Sequence, residues 1–173
     1  LGYSLGLKRA VLLDVLVLAA LFAVRVVAGA AAADVPLSRW FLAFAVFVFL
    51  SLALVKRAVE VRALGGVDGG PQQAPGRGWR VEDLPILQGL GVSSAMAGVL
   101  VYCLYITSSD VLQLYSRPDY LWLGLPLLLY WLGRVWILTA RGHMADDPVT
   151  FVLRDPSSYV VGLLVALAAW LAT

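Results

Sequence analysis

The stretch Lys56-Arg57-Ala58-Val59-Glu60 continues through Gly65-Gly66-Val67-Asp68-Gly69-Gly70-Pro71 and closes on Arg77, Arg80, Glu82 and Asp83. It is the one sizeable polar tract in a chain otherwise written in long apolar runs. Hydrophobic residues make up 61% and charged residues only 14%, with a mean hydropathy of +0.87. An ordinary soluble domain is about half apolar and about a quarter charged. These values define an integral membrane protein, and in lipid each spanning run has to be a helix, because an open strand leaves backbone groups unpaired. The fold class expected is an all-α, multi-pass transmembrane helical bundle.

Five spans flank the polar tract, at residues 11–33, 40–55, 86–107, 120–140 and 159–171. Each approaches the roughly 20 residues needed to cross a hydrocarbon core of about 30 Å. With the N-terminal end cytoplasmic, that face carries Lys8, Arg9, Lys56, Arg57, Arg62, Arg77, Arg80, Arg134, Arg141 and Arg154, and the other face only Arg39 and Arg117. The bias follows the positive-inside rule. It gathers three polar segments (2–9, 56–83 and 141–155) on one side and makes 56–83 a cytoplasmic loop. The net charge of +2 gives no reason to expect nucleic acid. The single cysteine, Cys103, sits in an apolar run and reads as packing, and the single histidine, His143, as a polar loop residue.

Asp14 lies about one turn inside the first span, where a charge costs roughly 2.5–3.5 kcal/mol on insertion scales. Arg25 is the second charge in that span. Eleven residues return to nearly the same helix face but leave about 16 Å of axial distance, so direct pairing is not expected, and both are read as facing a polar cavity. Lys56 and Glu60 stand at i and i+4. They form either a surface ion pair worth a few tenths of a kcal/mol or, with Arg57, a group aimed at a phosphate and one Mg²⁺. Asp146-Asp147-Pro148 reads equally as a helix start with Asp147 as cap. Trp122, Tyr130, Trp131 and Trp136 fit interfacial or lipid-facing positions.

An ordered series covering nearly the whole chain carries a resemblance. It comprises Tyr3-Ser4-x-Gly6-Leu7-Lys8-Arg9 leading to Asp14, then Arg25-x-x-x-Gly29, Val35-Pro36-Leu37-Ser38-x-Trp40-Phe41, Lys56-Arg57-x-x-Glu60, and Asp146-Asp147-Pro148-Val149 with Asp155. It resembles the C-terminal part, helices five to nine, of the UbiA prenyltransferase superfamily. The likeness is greatest to bacterial members with an upstream haloacid-dehalogenase-like domain, and the chain also resembles decaprenyl-phosphate phosphoribosyltransferase.

The resemblance implies a nine-helix membrane enzyme of the bacterial inner membrane, working at its cytoplasmic face. It implies Mg²⁺-assisted transfer of a polyprenyl group from a polyprenyl diphosphate to an acceptor, or alternatively transfer of phosphoribose to a polyprenyl phosphate. Tyr3, Lys8, Arg9, Arg25, Lys56 and Arg57 would bind phosphate. Asp14 and Glu60 would be the catalytic carboxylates, Glu60 also the one metal-directed group. Lys56 and Arg57 depart from the family's second aspartate-rich motif. The first such motif is absent and is expected in a missing N-terminal half, so the chain is read as part of a longer protein that this portion alone leaves incomplete. From another class, five helices with buried Asp14 and Arg25 could be half of a transporter, whose signature is a pair of broken helices; the candidates for such breaks are Gly124 with Pro126, and Gly89 with Gly91.

Overall fold

The computed structural model describes residues 11–65, 78–144 and 148–173. The described residues form helices α1 (Leu13–Ala32), α2 (Arg39–Gly65), α3 (Leu84–Ile106), α4 (Ser109–Leu114), α5 (Gly124–Ala140), α6 (Pro148–Arg154) and α7 (Pro156–Ala172). Two 3₁₀ turns, Val81–Asp83 and Pro118–Leu123, lead into α3 and α5. The fold is an all-α multi-pass membrane bundle. Four helices are long and apolar enough to cross a bilayer: Leu13–Ala32, Arg39–Gly65, Val81–Ile106 and Pro118–Ala140. The expected fifth span is a shorter apolar helix of 17 residues, α7. It starts at Pro156 because Asp155 caps it, its carboxylate accepting from the Ser158 backbone N–H at 2.8 Å. Proline at the first helical position adds to the start.

α2 departs most from the sequence reading. The helix runs ten residues past Val55 to Gly65, so Lys56, Arg57, Glu60 and Arg62 stand on a helix and not in a loop. The reason is local. From 56 to 64 there is no glycine or proline, and Ala58 and Val61 of this extension are buried. Gly65, where the described part of the helix ends, is the first glycine of the extension.

The spanning helices run alternately up and down, each packing mainly on the next. At one end Arg117 N–H donates to Ala172 C=O at 2.9 Å, joining the turn before α5 to the end of α7. At the other end the Arg62 guanidinium donates to Ala140 C=O, joining the ends of α2 and α5. Lipid removes most of the hydrophobic drive between helices, so small residues and polar links carry the packing. Gly91 lets the Trp136 indole lie against α3, where a Cβ would fall 1.9 Å from the ring. Ser51 donates to Gly91 C=O and accepts from Trp136 Nε1, each at 2.9 Å. This corrects one aromatic assignment: Trp136 is a buried tie between α2, α3 and α5, whereas Trp122 and Tyr130 do face outward. Neither glycine pair makes a broken helix. Gly89 and Gly91 lie inside continuous α3, and Gly124 and Pro126 fall in the first turn of α5.

Candidate functional site

Asp14 and Arg57 meet at the Arg62 end of the bundle. Asp14 is in the first turn of α1 and 1% exposed; Arg57 is in the extension of α2 and 2% exposed. Arg57 Nη2 is 2.9 Å from Asp14 Oδ2, and Nη1 donates to Glu60 Oε2 one turn further along α2. Asp14 also accepts from its neighbour's backbone, Val15 N–H to Oδ1 at 2.8 Å. Trp79 closes the group, its indole N–H lying 3.1 and 3.2 Å from the two Asp14 oxygens. A carboxylate removed from water is held by two side-chain donors and one backbone donor, as a buried charge requires.

The pair sits above an apolar crevice laid out by helical spacing. Asp14, Leu18 and Phe22 follow at four-residue steps on α1, and Arg57, Ala53 and Phe49 follow likewise on α2. Phe22 and Phe49 stack at 5.3 Å between centroids. Leu18, Phe22, Phe49, Leu52 and Ala53 line a cavity of about 100 Å³, with Lys56 and Pro148 completing its wall. The arrangement places the cation Lys56 beside an apolar slot and a second, buried cation, Arg57, on the next residue.

The residues singled out from sequence divide into three groups. Asp14, Lys56, Arg57 and Glu60 come together. Arg25 does not: it is exposed on α1, its guanidinium 4.9 Å from the centre of the Phe22 ring, so among the described residues it shares no cavity with Asp14. The cavity lies between α1 and α2, and what neutralises Asp14 is an arginine 43 residues later in the chain. Tyr3, Lys8, Arg9, Asp146 and Asp147 lie outside the described residues. Trp79 was not singled out. Its only sequence signal is an aromatic residue in a glycine- and arginine-rich tract, and burial at 2% cannot be read from that.

A second charged group lies nearby in the fold but is engaged structurally. Arg134 of α5 grips Asp155 with two parallel hydrogen bonds of 2.8 and 2.9 Å. Ser158 Oγ donates to the same carboxylate at 2.8 Å and accepts from Trp131 Nε1 at 2.9 Å. Burial alone would raise the Asp155 carboxyl, but the hydrogen bonds from Arg134 and Ser158 outweigh it and hold it below the usual carboxylate range. This network fastens α7 to α5.

The described residues do not fit a resident Mg²⁺. Both Asp14 oxygens already accept hydrogen bonds, Glu60 is engaged by Arg57, and among the described residues no three His, Cys, Asp or Glu side chains gather as a metal site. An all-protein cage is also uncommon for this ion, which prefers substrate phosphates and water.

Comparison with known proteins bears on which phosphate chemistry is relevant. The chain is 38% identical over 169 residues to the uncharacterized protein y4nM of Sinorhizobium fredii, covering 97% of this chain and 32% of that protein. It is 36% identical over 156 residues to nodulation protein NoeC of Azorhizobium caulinodans, covering 90% of this chain and 50% of that protein. Against the decaprenyl-phosphate phosphoribosyltransferase of Mycolicibacterium smegmatis the identity is 28% over 177 residues, covering 100% of this chain and 53% of that enzyme. The chain is a distant homologue of decaprenyl-phosphate phosphoribosyltransferases. It spans between a third and about half of the length of these relatives. No protein-family model matches the chain, and no solved structure does. The homology extends over the whole chain, so the Asp14–Arg57 crevice lies within the matched region.

Proposed function

We propose that this chain is the C-terminal part of a UbiA-type membrane transferase, and that the reaction it serves is transfer of a phosphoribosyl group to a polyprenyl phosphate at the cytoplasmic face. The observation that carries the reading is the α1–α2 crevice. Its apolar wall suits an isoprenoid chain, and Lys56 in that wall, with Arg57 as the next residue of α2, suits the phosphate. Homology across the full chain to decaprenyl-phosphate phosphoribosyltransferases favours this over the prenyl transfer that the sequence pattern put first.

The chemistry asks for cations in two places. A lipid phosphate oxygen forms a bond to the anomeric carbon of phosphoribosyl diphosphate, and the bond from that carbon to diphosphate breaks. Diphosphate leaves carrying the bonding electrons, so positive groups beside it are worth more in the transition state than in the ground state. Arg57, always charged, presents a rigid planar donor set; Lys56 is a mobile point charge. Lys8 and Arg9 are proposed as further phosphate contacts. Asp14 is proposed as the group that holds Arg57 in place, not as a base, since both its oxygens are occupied. Mg²⁺ is proposed only as an ion arriving with the donor's diphosphate, and no step depends on a protein cage for it.

The test uses the full-length parent protein in membrane vesicles. Labelled phosphoribosyl diphosphate with polyprenyl phosphate should give labelled lipid, and Lys56→Ala should lower kcat/KM about tenfold. Label transferred only from polyprenyl diphosphate to another acceptor would establish prenyl transfer instead. Transfer of neither group would refute the reading.

A further inference from the structure

Arg57 is 2% exposed, and two of its guanidinium nitrogens are committed to Asp14 and Glu60. Its third, Nε, is buried and has no hydrogen-bond acceptor among the described residues. A buried N–H of a charged group without an acceptor costs about 1–3 kcal/mol or more, and such groups in native structures call for an explanation. Asp14 and Glu60 on the other nitrogens fix the plane of the guanidinium, so Nε–H is held in one direction. Trp79 in turn fixes Asp14. It is itself fully buried, and it stands just ahead of the turn in which the Arg80 backbone N–H donates to Asp83 at 2.8 Å.

We propose that Trp79 is a positioning residue which, by clamping the Asp14 carboxylate, orients Arg57 so that its Nε–H is presented to an oxyanion of a phosphate or diphosphate ligand. The chain of action runs from the indole N–H to both Asp14 oxygens, from Asp14 to Arg57 Nη2, and from the immobilised guanidinium to the ligand. Without the indole the carboxylate keeps its charge but loses the donor that spans both its oxygens. It can then rotate, and Arg57 follows it. The ring also belongs to the buried core that includes Val15, Ala58 and Leu87, so its packing and its N–H have to be tested apart.

This inference rests on the phosphate-transfer reading for its ligand, but its test does not need turnover. The measurement is binding of inorganic pyrophosphate to the purified full-length protein in detergent, by calorimetry, for wild type, Trp79→Phe, Arg57→Lys and the double variant. Phe keeps most of the ring and removes the donor; Lys keeps the charge and removes Nε–H. Each single substitution should weaken pyrophosphate about tenfold. The double variant should be no weaker than Arg57→Lys alone, because Trp79 acts only through Arg57. Leu132→Ala, a buried change in α5, should lower the thermal midpoint without changing pyrophosphate affinity. Unchanged affinity in Trp79→Phe, losses that multiply to about a hundredfold in the double variant, or no pyrophosphate binding by the wild type would each overturn the proposal. A wild type that binds pyrophosphate in the predicted pattern yet transfers no phosphoribose would sink the assigned reaction and leave the role of Trp79 standing.

Discussion

Replacing Asp14 by Ala removes the main counter-charge of an arginine that is 2% exposed. At 2.9 Å the direct attraction is about 6 kcal/mol with an effective dielectric of about 20, a gross value that desolvation has already largely offset. The cost of the mutation is set by what is left behind. Breaking one side of a buried pair typically costs about 3–5 kcal/mol. Glu60 still contacts Arg57, which pulls the estimate toward the lower end, whereas the orphaned Trp79 N–H adds about 1–3 kcal/mol. A net loss of about 4 kcal/mol follows, which should lower the thermal midpoint of the full-length protein by several degrees. Asp14→Ala combined with Arg57→Met removes both charges, and the double variant should regain more than half of the loss. The assay is thermal unfolding of the full-length protein in detergent, followed by intrinsic fluorescence. If Asp14→Ala melts with the wild type, or if the two single losses simply add in the double variant, the pair is not the buried, mutually dependent unit described above.

Two further outcomes are expected. Gly91→Ala puts a methyl group 1.9 Å from the Trp136 ring, so the ring must move and its bond to Ser51 must lengthen. The variant should lose about 1–3 kcal/mol, and Trp136→Phe in the same chain should relieve part of that loss; thermal midpoints decide it. Asp155 has a folded pKa below its usual value, so its contribution to stability is present above the unfolded value of about 4 and fades as pH falls through the folded one. Melting temperatures measured from pH 6 down to 3 should therefore drop more steeply for wild type than for Asp155→Asn. Equal slopes would mean that the Arg134 grip contributes nothing that titrates.

Several of these features were legible in the sequence because they depend on composition and spacing alone. Long apolar runs demand helices in lipid whatever their neighbours, so the all-α class and the four long spans follow from a count of residues. A charge inside such a run must find a partner, and Asp14 is such a charge. The Lys56-Arg57-x-x-Glu60 spacing offered Lys56 as the partner of Glu60 at i and i+4; the structure pairs Glu60 with Arg57 at i and i+3.

Only the tertiary structure decided which partners those charges took. The first-span charges Asp14 and Arg25 carry the same sequence signal, yet one is buried against α2 and the other is exposed. The two stand on nearly the same face of α1, about 16 Å apart along its axis, and their fates depend on what packs at each level: Arg57 and Trp79 meet Asp14, whereas Arg25 lies beside Phe22. Trp136 and Trp122 are equally ambiguous, because an indole suits a membrane interface and a buried hydrogen bond alike. Trp79 shows the limit most clearly. Its function depends on a contact with a residue 65 positions away, and helix periodicity carries no information at that separation. The sequence by itself determined that charge had to be neutralised at one end of an apolar bundle; the packing of α1 on α2, with the indole returning from the loop, determined how.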